Sequence, residues 1–370
     1  MRQAITRRSL LTMLPVCGMT LMSGQVFRAF AASTSSPYAF DSLTNCRPTA
    51  DFAKIFAAGM TGCVVDLAVV PRTEITALSE LGNWADASHT PDATFQIIRR
   101  VSDFQLARDA RRFAVVLNSQ DAAILEWPGD SEESRFNNLR AFHDLGLRIL
   151  QLTYNDRSKV GGGYWEDTQV PLSLYGRRLV AEMNRLGILV DLSHCDEETT
   201  LDGIKTATRP VVVTHAGCRA LFDNARNKSD KVIRALADSG GYFGVYNMTL
   251  WMTDQTTSSV KTVCDHIDHA TKVGGIDLVG FGSDHPPLGE PETDHGETWL
   301  ESMTEWQKIN HALGRQVGNR PIAPMFAIDL NGPDRLVRIA DELHRRSYRQ
   351  DDIDKILGLN FIRVFKESCG

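Results

Sequence analysis

Eight short apolar runs alternating with stretches of helical periodicity narrow the fold more than any other feature of this chain. They fall at residues 38–44, 62–70, 113–118, 147–154, 188–194, 209–215, 241–247 and 277–284. Runs of this length, rich in β-branched residues and bounded by polar or turn residues, read as strands buried on both faces, as in a parallel sheet. Between them lie helical patterns over 50–58 (capped by Thr49), 93–111 (Phe95, Ile98, Val101, Phe104 and Leu106 on one face), 132–145, 171–185, 231–238 and 259–273. Gly161 to Gly163 marks an exposed turn, and helices near 350–357 and 360–367 end the chain after a polar loop. Strand–helix alternation predicts an α/β fold, a (β/α)8 TIM barrel with C-terminal helices; a doubly wound open sheet is the alternative.

Two successive strands end in histidine. Ile188-Leu189-Val190 leads to His194, and Val211-Val212-Val213 leads to His215. Side chains at the carboxyl ends of parallel strands face the crevice where such folds bind ligands. Either histidine alone is an ordinary strand-end hydrogen bonder, but two on neighbouring strands can converge on one divalent ion, usually zinc. Gly280-Phe281-Gly282-Ser283 sets Asp284 at the lip of the last strand among small neighbours. A carboxylate there can take a proton from metal-polarised water and later return it to a leaving nitrogen. The other strand ends offer Asp41, Leu43 and Asn45, then Asn118, Gln120 and Asp121, then Tyr154, Asn155 and Asp156, and finally Asn247.

The 370 residues and 42% hydrophobic content suffice for a large core. Residues 1–31 read as a cleaved leader: Arg7-Arg8 precede an apolar stretch, and Ala29-Phe30-Ala31 supplies a small-x-small cleavage pattern. The arginine pair indicates twin-arginine export to the periplasm or the medium. That leaves residues 32–370 as a single barrel domain. Loss of the leader's four arginines moves the formal charge from −6 to −10, a balance unsuited to nucleic acid.

Five stretches, 173–194, 213–216, 225–230, 280–284 and 356–365, together resemble the membrane (renal) dipeptidase family of the amidohydrolase superfamily. The resemblance spans about Phe40 to Val364. It implies a barrel, often a homodimer, that hydrolyses small dipeptide substrates with two zinc ions. On that resemblance His194 and His215 match the histidines of one zinc site, Asp284 the proton-transferring aspartate, and Arg226 the arginine that grips the substrate carboxylate. Tyr154 stands where a substrate-contacting histidine is expected. The first strand departs from the pattern, with Leu43 and Asn45 in place of a metal-binding His and Asp. The bridging glutamate aligns with Gln120, or less closely with Asn118, both neutral. A leucine cannot ligate, and neutral amides are poor partners for two adjacent dications, so the expectation is one zinc on His194 and His215 with Gln120, Asp284 or a water completing the shell. His285, Asp294, His295, Cys46, Cys195 and Cys218 lie close enough in sequence to substitute. Two readings follow: an exported single-metal hydrolase of dipeptide-like substrates, or a catalytically silent barrel that binds a peptide-like or amino-acid-derived ligand. Hydrolysis of a non-peptide amide or lactone is a more distant third.

Overall fold

A computed structural model describes residues 38–67, 73–126, 131–289, 299–313 and 324–370. The leader, Asp294 and His295 lie outside the described residues. Nine parallel strands form one sheet: β1 (Phe40–Thr44), β2 (Gly62–Asp66), β3 (Phe95–Ile97), β4 (Phe113–Ser119), β5 (Leu147–Gln151), β6 (Leu189–Asp191), β7 (Val212–Ala216), β8 (Tyr242–Val245) and β9 (Val279–Phe281). Eight run in the order β1-β2-β4-β5-β6-β7-β8-β9, and β3 pairs with β4 beside that path. The result is a nearly closed barrel of eight parallel strands wrapped by helices, a (β/α)8 barrel. Among the described residues no helix is long and apolar enough to cross a membrane.

Local chemistry explains most boundaries. The helix Glu132–Leu145 starts at Ser131, whose hydroxyl accepts from Ser134 N, and stops at Gly146 with φ 123°. Two expectations are corrected nearby. The first helix is Phe52–Ala57, capped by Asp51 rather than Thr49, because Asp51 accepts from Lys54 N. The expected helix over 93–111 divides into β3 and the helix Val101–Asp109, leaving Leu106 exposed. Another helix, Glu74–Ser88, was not anticipated; it buries only Ala77, Leu81 and Trp84.

Strand side chains alternate, so every second residue faces the barrel lumen. Phe40, Val64, Val116, Ile149, Leu189, Val212 and Tyr242 form one apolar cluster with Phe361, Val364 and Phe365 of the last helix, Asn360–Cys369. Phe361 stacks on Phe40 at 4.5 Å and meets Tyr242 edge-on at 5.6 Å, so this helix plugs the amino-terminal mouth of the barrel. Two residues further along the same strands the lumen becomes polar: Ser42, Asn118, Gln151, Asp191 and Thr214 are all fully buried. The floor of the barrel is therefore hydrocarbon, and the layer beneath its carboxyl mouth is hydroxyl, amide and carboxylate.

Between β9 and β1 side-chain and backbone hydrogen bonds complete the ring. Ser42 Oγ donates to Phe281 O at 2.9 Å, Ser283 N to Asp41 Oδ1 at 2.7 Å, and Asp284 N to Leu43 O at 2.9 Å. A Cβ on Gly282 would sit 2.0 Å from Thr214 O, which is why this stretch carries no side chain.

Candidate active site

The two histidines meet. His194 Nε2 and His215 Nε2 are 2.9 Å apart, and both residues are buried. His215 lies within β7, whereas His194 sits on the turn after β6. Each ring is oriented from behind. His194 Nδ1 lies 2.6 Å from Asn155 Oδ1, an oxygen that only accepts, so Nδ1 carries the proton and Nε2 is bare. His215 Nδ1 lies 2.8 Å from Thr214 Oγ1, whose own proton points to Asp191 Oδ2 at 2.6 Å. At 2.9 Å the two Nε2 atoms are hydrogen-bonded to each other, so one of them carries a proton.

Aromatic rings wall the pair. Tyr154 stacks on His194 at 4.3 Å and 19°, and Tyr164 lies at 5.8 Å from the same ring. Tyr164 arrives on Gly161-Gly162-Gly163, which the sequence suggested as an exposed turn. All three glycines are buried. A Cβ would fall 2.7 Å from Thr199 Oγ1 at Gly161, 2.1 Å from Asp196 Oδ2 at Gly162 and 2.3 Å from Asn155 O at Gly163. The triplet is thus a close-packed strap against the His194 turn, and Tyr164 N donates to His194 O at 2.9 Å. Tyr164 Oη is buried with no hydrogen-bond partner, and burial raises its pKa, so it remains a protonated donor. Sequence reasoning passed Tyr164 over; the neighbouring glycines were its one signal.

Arg226 is fully buried. Its Nη1 donates to Ser193 O at 2.6 Å and its Nη2 to His215 O at 2.9 Å, so it ties the two histidine-bearing turns together. Its Nε has no hydrogen-bond partner, and no carboxylate lies within ion-pair reach of its guanidinium among the described residues. Instead the charge sits over Tyr164 at 5.8 Å and Tyr246 at 5.5 Å.

The remaining expected residues are more dispersed. Asp284 sits at the β9–β1 seam with φ 54°, a left-handed conformation uncommon outside glycine, and Asn45 Nδ2 reaches its carbonyl at 3.2 Å. Gln120 is clamped by Asp66: Gln120 N and Nε2 each donate to that carboxylate at 3.0 Å, and Gln120 Oε1 is left buried without a partner. Asn118 has both amide atoms buried and unpartnered. Leu43 packs in the core, and the Asn45 amide is spent on Asp284. Among the described residues no three His, Cys, Asp or Glu side chains gather into a metal-binding group, so Asp284 does not join the pair as a third ligand. Of the substitutes weighed from sequence, those among the described residues do not fill the gap. His285 stacks on Phe326 at 3.6 Å, and burial holds the Cys195 and Cys218 thiols up at about 11 and about 12. The structure thus brings two imidazoles together, and among the described residues no third ligand joins them.

Comparison with known proteins agrees with this architecture. An uncharacterised dipeptidase of Schizosaccharomyces pombe is 29% identical over 239 residues, covering 62% of this chain and 49% of its own length. Dipeptidase tcpJ of Claviceps purpurea is 28% identical over 233 residues, covering 62% and 46%. The chain thus spans about half the length of these relatives. An amidohydrolase from Pseudomonas aeruginosa shares the fold at 22% identity, with a TM-score of 0.78 over 94% of this chain and 98% of its own. The model of the membrane dipeptidases (peptidase family M19) matches residues 76–322, more than half of the chain, and this chain belongs to that family.

Proposed function

We propose that this protein is an exported hydrolase of dipeptide-like substrates that works with a single metal ion, zinc, held by His194 and His215. The observation that carries the reading is the meeting of the His194 and His215 Nε2 atoms at 2.9 Å, each ring held by a hydrogen bond on its opposite side. The family implies a metal cofactor, and the imidazole pair supplies two of its ligands. Gln120 Oε1 is the neutral oxygen best suited to extend the shell. When bound, the ion polarises water and the scissile carbonyl.

The chain's own groups do the rest. Asp284, on the rim of the mouth, accepts the proton of the attacking water and passes it to the departing amine. Arg226 bears a buried charge with no counter-ion among the described residues, a costly state that an anionic substrate group relieves. A dipeptide's terminal carboxylate is such a group, with Arg226 Nε and Tyr164 Oη as its two waiting donors. Tyr154 covers one face of His194 and keeps water from it. Export is supported by Arg7-Arg8 and the Ala29-Phe30-Ala31 pattern.

One observation favours the silent barrel: the family's charged ligands are replaced by Leu43 and neutral amides, and no third ligand closes on the histidines among the described residues. Metal analysis with a dipeptide screen separates the two. The hydrolase reading expects about one zinc per chain and turnover, both lost in His194→Ala. A folded protein that takes up no zinc and cleaves no dipeptide establishes the silent barrel instead.

A further inference from the structure

Among the described residues three side chains other than glycine stand on a left-handed backbone: Arg111, Asp284 and Ser347. Arg111 and Ser347 each lie two residues beyond the end of a helix, Val101–Asp109 and Arg335–Arg345, where a left-handed residue is an ordinary stop. Asp284 follows a strand, β9, so no helix end accounts for it. Such a backbone persists where its surroundings over-determine it. Both flanks of Asp284 are held in this way. Ser283 N donates to Asp41 Oδ1 at 2.7 Å, and Ser283 Oγ accepts from Arg335 Nη1 at 2.9 Å. On the far side Arg335 Nη1 donates to His285 O at 3.3 Å and Nη2 to Pro286 O at 2.5 Å. Arg335 Nε donates to Gly332 O at 2.9 Å, fixing the guanidinium to the start of its own helix, and Nη1 lies 3.8 Å from Asp41 Oδ2. Asp41 and Arg335 are both fully buried.

We infer that Arg335 is a positioning residue: together with Asp41 it clamps the residues before and after Asp284 and holds that aspartate in its left-handed turn, with the carboxylate at the barrel mouth. Asp284 is half-buried between the buried Ser283 and His285. The end of β1 meets it there, where Leu43 O accepts from its N at 2.9 Å and Asn45 Nδ2 donates to its carbonyl at 3.2 Å. Its charge is felt at Tyr164 and Tyr246, the rings beneath the Arg226 guanidinium, and adds to the burial that keeps both hydroxyls protonated. A guanidinium suits the task because its planar fork meets several oxygens at once, where an ammonium acts as a point charge. The inference deepens the hydrolase reading and rests on it for what Asp284 does, but the clamp itself is tested without turnover.

The experiment is a double-mutant cycle read by thermal unfolding, with Asp284→Gly measured in wild type and in Arg335→Lys. Lysine keeps a charge beside Asp41 but gives up the fork that spans Ser283, His285 and Pro286. Glycine takes a left-handed backbone at no steric cost, so in wild type it relieves the strain that the clamp imposes. Once the clamp is loosened the turn relaxes by itself, and glycine has nothing to relieve. The extra freedom that glycine gives the unfolded chain is common to both backgrounds and cancels. Asp284→Gly is therefore expected to be better tolerated in wild type, by about 2 °C in Tm. Equal Tm changes in the two backgrounds overturn the inference. Should Arg335→Lys not fold, Asp41→Asn replaces it in the cycle, with the same two outcomes. On a dipeptide that wild type cleaves, the clamp variant is expected to lower kcat about 100-fold with KM unchanged, because a displaced proton acceptor costs rate rather than binding. A folded clamp variant with wild-type kcat overturns the positioning role, whatever the cycle shows. A wild type that cleaves no dipeptide removes the hydrolase reading, and the cycle alone then decides the clamp.

Discussion

Lys228 shows what burial behind the site does to a single residue. Its Nζ donates to Cys195 O at 2.7 Å and Thr200 Oγ1 at 3.2 Å, pinning the turn that follows His194. Burial pulls its pKa from 10.5 down to about 7. Between those two values the unfolded chain holds a proton that the folded chain has released, so stability rises with pH across the window, by at most about 1.4 kcal/mol per unit. Lys228→Met is expected to flatten that rise, measured as the urea midpoint at pH 7, 8 and 9; an unchanged slope would show that Lys228 is not its source. Residue identities were legible and orientations were not. The sequence marked out Arg226 and the two histidines, and the structure places all three together. Yet Arg226 spends both Nη groups on the backbone carbonyls of Ser193 and His215, an arrangement that depends on chain segments meeting in space.

At the scale of elements, the strap Gly161–Gly163 is the clearest case of local composition pointing one way and packing another. Three glycines in a row read as exposed because nothing in the sequence announces the close approach of Thr199, Asp196 and Asn155. Gly162→Ala is expected to cost about 1–3 kcal/mol, seen as a lowered Tm, because its methyl would meet the Asp196 carboxylate that caps the helix Glu197–Thr206. Gly240→Ala, which meets nothing within 4 Å, is the control for backbone cost, since its φ of 70° strains an alanine without any clash. The helix Glu132–Leu145 was legible to the residue because its cap and its stop are both local signals. The 93–111 stretch was misread because β3 exists through its pairing of Phe95 with Phe113, a partner 18 positions away that no periodicity reveals.

For the molecule as a whole, strand–helix alternation announced the barrel, but the end on which it is sealed was hidden. The helix Asn360–Cys369 packs Phe361, Val364 and Phe365 into the lumen floor. Phe361→Ala is expected to destabilise the fold by about 3–5 kcal/mol in a denaturant titration while leaving zinc affinity near wild type, because the polar layer separates floor from mouth. Closure was equally illegible: Ser42, Ser283 and Asp284 complete the circle between β9 and β1. A hoop fastened by a clasp comes undone there before its weave unravels. Asp284 belongs to that clasp, whereas the imidazoles are borne on β7 and the turn after β6, inside the woven arc. Any give in the ring therefore shifts Asp284 while His194 and His215 hold still.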